Sequence, residues 1–396
     1  MANRRHPFFA FGPCLLSTVA IAGSPAGALP QDQQPPPPGQ GQQQPPPQRP
    51  NVPQRPNLPQ QQQRPGMDQP QLRLPPNVEF VPNVVYASAT NRDGSSHDLL
   101  LNAFFPKQSG EGALPAIIYI HGGGFTGGSR DIGNQYSAIL AMGGYFTVTI
   151  DYRLLGDAPF PAAIHDCKAA VRFLRANAEE LGIDPERIGV WGHSAGGHLS
   201  AFLGTAGNAP ETHGEVGDFE LADSSVSCVV DFFGPSDFTS LRQTRRADGE
   251  IRLFGEEGGV ILEERERKLA EAGPLHWVDA ADPPFLIIHG TEDRVVPIEQ
   301  SRLLNEALVN AGVACELVEV EGGGHGIREP GVLSKAAEFF DKHLGGSAVQ
   351  AFARLQQQAT DRPIDQGQPQ RVPPGEAQGP GGGGNPPGGG GDSEGD

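Results

Sequence analysis

Ser194 stands in Gly192-His193-Ser194-Ala195-Gly196, directly after the apolar run Arg187-Ile188-Gly189-Val190-Trp191. A serine hydroxyl is a weak nucleophile at neutral pH and becomes useful only where the chain presents it to a substrate and to a base. The spacing predicts such a presentation, with a strand before the serine, a sharp turn at it and a helix after. The turn demands a strained backbone. A side chain two residues before or after it would collide with the neighbouring strand and helix, and glycine at 192 and 196 removes the collision. The helix, expected from Ala195 to about Leu203, points its N-terminal N–H groups toward charge developing near the serine. An ordinary turn in a glycine-rich chain can also hold a serine between glycines; the flanking strand and helix favour the nucleophile.

An attacking serine needs a base within hydrogen-bond reach, and the base needs a carboxylate to orient it. After the run Phe285-Ile288 comes His289-Gly290-Thr291-Glu292-Asp293-Arg294-Val295-Val296-Pro297, and after a strand ending near Val320 comes Gly322-Gly323-Gly324-His325-Gly326. His325 lies in an open loop suited to a base. Of the other histidines, His193 sits inside the turn, His289 ends a strand and His343 lies on the final helix. Glu292 and Asp293 compete as the acid, and the shorter side chain of Asp293 holds an imidazole more firmly. Asp231 and Asp237 are the fallback. His121-Gly122-Gly123-Gly124-Phe125 also follows a strand, and its glycines let backbone N–H groups approach a substrate; with the amide after Ser194 they form a candidate oxyanion hole. Bulk at Gly123 or Gly124 is expected to displace that loop, and Gly123→Val to lower kcat while the thermal midpoint stays close to wild type. No H-E-x-x-H or similar metal site is present, and neither metal nor other cofactor is expected.

These loops need a scaffold that brings their strand ends to one rim. Val84-Tyr86 and Leu99-Phe105 predict an antiparallel pair joined through Asn91-Arg92-Asp93-Gly94. Continuous apolar runs of buried-strand type follow at Ala116-Ile120, Phe146-Ile150, Ile188-Trp191, Val226-Phe233, Phe285-Ile288 and Glu316-Val320. Between them lie helical patterns. The clearest runs from Ala162 to Leu181, with Pro161 before it and Gly182 after; Leu333 to Leu344 is another. The alternation predicts an α/β fold, a mostly parallel sheet of about eight strands with helices on both faces. Ligands in such a fold sit beyond the carboxyl ends of the strands, where Ser194, Asp293 and His325 all fall.

The chain has 396 residues, and the expected folded core is about 77–346. Residues 1–28 read as a secretory signal, with Arg4 and Arg5, an apolar stretch from Phe8 to Gly23 and a small-residue cleavage site at Ala26-Gly27-Ala28. The stretch is short for a membrane span and is interrupted by Gly12 and Pro13, so a secreted or periplasmic protein without a stable span is expected; an uncleaved anchor is the alternative. Residues 29–76, rich in Pro and Gln, and the Gly- and Pro-rich tail 347–396 carry too little apolar surface to offset the entropy of ordering. The net charge of −18 argues against nucleic acid or an anionic membrane surface as partner. Cys167, Cys228 and Cys315 have neither metal-site nor framework spacing and read as small core residues, with one disulfide left open.

From about Val84 to Leu344 the sequence resembles the α/β-hydrolase esterases of the hormone-sensitive-lipase type, and is especially similar to bacterial carbohydrate esterases that remove acetyl or feruloyl groups from xylan. The resemblance rests on His121-Gly122-Gly123-Gly124, Asp151-Tyr152-Arg153, Pro161-Ala162-Ala163-Ile164-His165-Asp166, the Ser194 turn, Asp231-Phe232-Phe233-Gly234-Pro235-Ser236-Asp237, and the Asp293 and His325 loops. It implies an α/β-hydrolase fold in which nucleophile, acid and base follow in the order Ser194, Asp293, His325. It further implies oxyanion donation by Gly123 and Gly124 beside Ala195, and structural roles for Asp151 and Asp166. The substrate so implied is a small ester or an esterified polysaccharide, hydrolysed through an acyl-enzyme. Two features depart from the pattern: Thr291 stands where aspartate is common, and no large N-terminal helical cap is evident, although the stretch 241–259 could cover part of the site. A serine peptidase of the prolyl-oligopeptidase type shares Asp-Arg-Val-Val-Pro, but residues 29–83 cannot supply its β-propeller. A formamidase, a thioesterase or a non-catalytic exported binding protein on the same fold stays open.

Overall fold

Eight strands form one sheet in the order β1-β2-β4-β3-β5-β6-β7-β8 in the computed structural model, which describes residues 74–108, 110, 112–207, 209–241, 262–326, 330–351 and 353. The expected signal and most of both expected tails lie outside the described residues, as does most of the stretch considered as a cover. The strands are β1 (Val78–Thr90), β2 (Ser96–Pro106), β3 (Leu114–Ile120), β4 (Phe146–Ile150), β5 (Ile183–His193), β6 (Cys228–Phe232), β7 (Phe285–Gly290) and β8 (Cys315–Val320). β1 pairs antiparallel with β2, and β2 antiparallel with β4. From β4 onward every pairing is parallel, so the carboxyl ends of β3 to β8 share one rim. β1 and β2 are longer than the apolar runs suggested, because their outer ends alternate buried and exposed positions around the turn at Asn91–Gly94.

Helices α1 (Asn134–Met142), α2 (Ala162–Ala176), α3 (Ala178–Leu181), α4 (Ala195–Thr205), α7 (Glu299–Asn310) and α8 (Pro330–Leu344) pack on the sheet, and α5 (Phe238–Leu241) and α6 (Leu262–Ala272) pack on each other beside Phe125, Leu155 and Phe160. Two apolar cores result. One joins Ile164, Val171 and Leu174 of α2 and Leu199, Phe202 and Leu203 of α4 to Ile118, Val148 and Val190. The other joins Ala336, Phe340 and Leu344 of α8 to Tyr119, Trp191 and Val230 on the opposite sheet face. Successive strand residues point to opposite faces, so strands buried on both read as unbroken apolar runs.

The single helix expected over Ala162–Leu181 is divided at Asn177, whose side-chain amide joins its own backbone N–H on the Phe173 carbonyl, at 2.8 and 3.1 Å. The outward face of α2 is not solvated either. Lys168, Arg172 and Arg175 donate to carbonyls of Ala206, Gly207, His213, Val216, Asp223 and Ser225, pinning the segment after α4 over the helix. At the C-terminus order continues past residue 346: Ala348 and Ala351 are buried, and Asp341 accepts from the amides of Ala348 and Val349. Ala348 finds a seat beside Gly143 that composition alone does not reveal. Cys167, Cys228 and Cys315 are free thiols, the first two buried. No described helix is long and apolar enough to cross a membrane.

Asp231 on β6 is buried on both sides, and burial raises its carboxyl to about 7, opposed by the Gly234 amide that donates to it. A raised carboxyl favours the native state in its protonated form. That contribution is whole below about pH 3.8 and is lost as pH rises from there to about 7. Asp231→Asn keeps an oxygen for Gly234 and cannot ionise. Its stability relative to the wild type should therefore rise by about 1.4 kcal/mol per pH unit across that window. Urea unfolding at several pH values measures the difference; a constant offset would show that Asp231 does not titrate on unfolding.

Candidate active site

β5 ends at His193 and Ser194 takes φ 55°, ψ −118°, a conformation that costs a non-glycine residue on the order of 1–3 kcal/mol. The surroundings hold it there. The Ser194 amide donates to the Phe232 carbonyl on β6 at 2.9 Å, and the Ser194 carbonyl accepts from His198 on α4 at 3.0 Å. A Cβ on Gly192 would lie 2.4 Å from the Gly196 oxygen, and one on Gly196 would lie 2.0 Å from the Ile120 oxygen. The backbone of β3 therefore approaches this turn too closely for any residue but glycine at either position.

His325 Nε2 lies 2.9 Å from Ser194 Oγ, and Nδ1 lies 2.7 Å from Asp293 Oδ2. An ionised carboxylate can only accept, so Nδ1 carries the proton and Nε2 is free to accept from the serine hydroxyl. Asp293 Oδ1 in turn accepts from the amides of Val295 and Val296 at 2.7 and 2.9 Å. The carboxylate is fully buried while the His325 side chain stays 20% exposed, so Asp293 is fixed and His325 opens to solvent. The Phe233 ring packs 4.7 Å from His325. Glu292, the competing acid, is exposed; its amide donates to the Gly323 carbonyl at 2.8 Å and ties the acid loop to the base loop. Asp231 is buried under α4, and Asp237 caps α5 through the Thr239 amide.

His193 points away from the serine, into a cage of Tyr119, Tyr136, Trp191, Phe232 and Phe233. Burial, with His325 nearby, pushes its imidazole down to about 3, so it stays neutral.

The loop after β3 packs against the nucleophile: a Cβ on Gly122 would come 3.4 Å from Ser194 Cβ. Gly123, Gly124 and Phe125 all have positive φ, at 127°, 60° and 60°. The Gly123 carbonyl accepts from the amides of Thr126 and Gly127, which folds the loop into a turn. Ala195 opens α4, where the first amides have no intrahelical partner. The two candidate donor glycines differ sharply: a Cβ on Gly123 would lie 2.1 Å from the Gly127 oxygen, whereas one on Gly124 meets nothing within 4 Å. The unchanged thermal midpoint expected for Gly123→Val is therefore withdrawn, because the added bulk strikes the loop's own backbone.

Around the rim, Asp151 pairs with Arg130 and accepts from its amide. Asp166, buried, holds the Arg153 guanidinium at 2.7 Å and its amide at 2.8 Å; burial raises its carboxyl against the pull of Arg153. Arg153 also donates to the Thr90 carbonyl, joining the rim to the β1–β2 turn. Among the described residues no group of three or more His, Cys, Asp or Glu side chains is placed to hold a metal ion.

A mostly parallel eight-stranded sheet with this serine, histidine and aspartate on its carboxyl rim defines the α/β-hydrolase fold. Residues 101–308 match the BD-FAE family. The chain belongs to that family. It is 34% identical over 229 residues to Esterase LipC of Mycobacterium tuberculosis, a match covering 57% of this chain and 56% of LipC. The chain spans about half the length of the curated relatives it matches. Among solved structures, a truncated carbohydrate esterase from gut microbiota is 31% identical with a TM-score of 0.59, covering 67% of this chain and 96% of that one. A thermophilic esterase of Thermogutta terrifontis with butyrate bound is 28% identical with a TM-score of 0.54, covering 67% and 94%.

Proposed function

We propose that this protein is an exported serine carboxylesterase that cleaves acyl esters, acetyl or feruloyl groups on plant polysaccharide among them, through a covalent acyl-enzyme. The observation that carries the reading is the hydrogen-bond chain from Ser194 Oγ through His325 to Asp293, at 2.9 and 2.7 Å. Ser194 Oγ attacks the ester carbonyl as its proton passes to His325 Nε2. The new C–O bond leaves a tetrahedral oxyanion, which the amides of Gly123, Gly124 and Ala195 receive. Collapse expels the alcohol, which takes the proton from His325. Water then repeats the sequence on the acyl-serine, giving up a proton to His325, and the carboxylic acid leaves as the serine is restored. Asp293 fixes the Nδ1–H tautomer throughout and offsets the charge of the transient imidazolium.

The polysaccharide ester is supported by the likeness to a carbohydrate esterase. Export is supported by the signal-like composition of residues 1–28. Ser194→Ala should reduce p-nitrophenyl acetate hydrolysis to near background without unfolding the protein, and the wild type should release acetate or ferulate from esterified xylan fragments. Retention of most p-nitrophenyl acetate turnover by Ser194→Ala would overturn the serine mechanism. Turnover of p-nitrophenyl acetate without release from xylan fragments would remove the polysaccharide and leave the esterase. A mature protein beginning within the first few residues would contradict export by signal cleavage.

A further inference from the structure

The Asp293 carboxylate has a second imidazole beside it. His289, at the end of β7 and wholly buried, places Nε2 2.9 Å from the Val296 carbonyl and 3.3 Å from Asp293 Oδ2, while Nδ1 lies 2.7 Å from Ser301 Oγ on α7. The Val296 carbonyl can only accept, so Nε2 carries the proton, and Nδ1 of the neutral ring accepts from the Ser301 hydroxyl. Both ring nitrogens are thereby committed, and the tautomer is fixed from outside the reaction centre. Building on the proposed Ser194–His325–Asp293 mechanism, we propose that His289, oriented by Ser301, is a positioning residue that shares its Nε2–H between Val296 and the catalytic acid.

This arrangement makes the acid loop a closed figure. Oδ1 of Asp293 is held by the amides of Val295 and Val296, and the Val296 carbonyl is held by His289. The same histidine donor reaches Oδ2, the oxygen that also faces His325. The loop that carries the carboxylate and the carboxylate itself are therefore referred to one buried ring, whose other nitrogen is anchored to Ser301 on α7. A neutral donor suits the task. A cation there would compete with the His325 imidazolium for the same carboxylate charge, and burial together with His325 lowers the proton affinity of His289. Among the described residues Glu319, its register partner on β8, is a further ionisable neighbour, and it is paired with Arg302 at the surface. Phe233 packs against the ring from the β6 side.

His289→Leu removes the donor at similar bulk, His289→Gln offers an amide N–H near the position of Nε2, and Ser301→Ala releases Nδ1 while keeping the ring. With p-nitrophenyl acetate, His289→Leu should lower kcat about 10- to 100-fold, the scale of a small misplacement of a catalytic group, with KM little changed. Loss of one donor concentrates charge on Oδ2 and favours the imidazolium opposite it, so the acid limb of kcat/KM should move to higher pH. His289→Gln should restore the limb and much of kcat, and Ser301→Ala should show the same displacement in smaller measure. A folded His289→Leu protein with wild-type kcat and an unmoved acid limb overturns the proposal, as does a kcat loss that His289→Gln fails to rescue and that leaves the limb in place. If His289→Leu does not fold, Ser301→Ala decides alone by the position of its limb. Ser194→Ala is assayed alongside: turnover there sinks the serine mechanism itself, whereas an inactive Ser194→Ala beside wild-type His289 variants sinks only the role given to His289.

Discussion

Asp293→Asn should lower kcat on p-nitrophenyl acetate by about 10⁴-fold while the protein stays folded. The geometry explains why so small a change has so large an effect. The asparagine oxygen remains on the amides of Val295 and Val296, where Asp293 Oδ1 now sits. Its NH2 group is then turned toward His325 Nδ1, which at present carries a proton. Two donors cannot face each other, so the imidazole adopts the other tautomer and presents Nε2–H to Ser194. The serine proton then has nowhere to go. Turnover within 10-fold of wild type in a folded variant would show that Asp293 does not set the tautomer of the base.

Gly123→Val carries the second large effect. Its Cβ would overlap the Gly127 oxygen, at a backbone φ of 127° that valine does not adopt. The loop must open, and kcat should fall on the order of 10²–10³-fold, as for loss of one oxyanion donor, with a lowered thermal midpoint. Gly124→Ala is the companion. It has φ 60° and open space around it, so it bears a left-handed cost of roughly 1–2 kcal/mol and should fold with a smaller loss of kcat. Equal turnover of Gly123→Val and wild type would remove this loop from the site.

The elbow was legible because its glycines answer to a steric demand: Gly192 and Gly196 are required by backbone oxygens that any such turn must approach. The succession of strands along the chain, and with it the placing of the Ser194 and Asp293 loops after strand ends, followed from apolar runs buried in β3, β4, β6 and β7; β8, before the His325 loop, is instead half-exposed, with Glu316 and Glu319 interrupting its apolar residues. Features that depend on what folds over an element were not legible. Lys168, Arg172 and Arg175 occupy what periodicity marks as the solvent face of α2, and they are covered because the chain after α4 returns its carbonyls to them. His289 read as a strand end, whereas β7 runs one residue further, to Gly290. Its bonds to Ser301, Val296 and Asp293 depend on α7 packing beside β7, and no spacing in the sequence encodes that. Ala348 and Ala351 sit in a stretch whose composition resembles the tail that follows, and two alanines are too weak a pattern to mark a packed turn.

In the proposed mechanism Ser194 is the group that becomes covalently acylated. The direct measurement is titration with an organophosphate bearing a p-nitrophenol leaving group, followed by mass spectrometry of the digested protein. The expected result is release of one equivalent of p-nitrophenol per chain, a phosphoryl adduct confined to the peptide at Ser194, complete loss of esterase activity in step with labelling, and no adduct in Ser194→Ala. Full inactivation with the adduct on another residue, or undiminished turnover by protein fully labelled at Ser194, would contradict it.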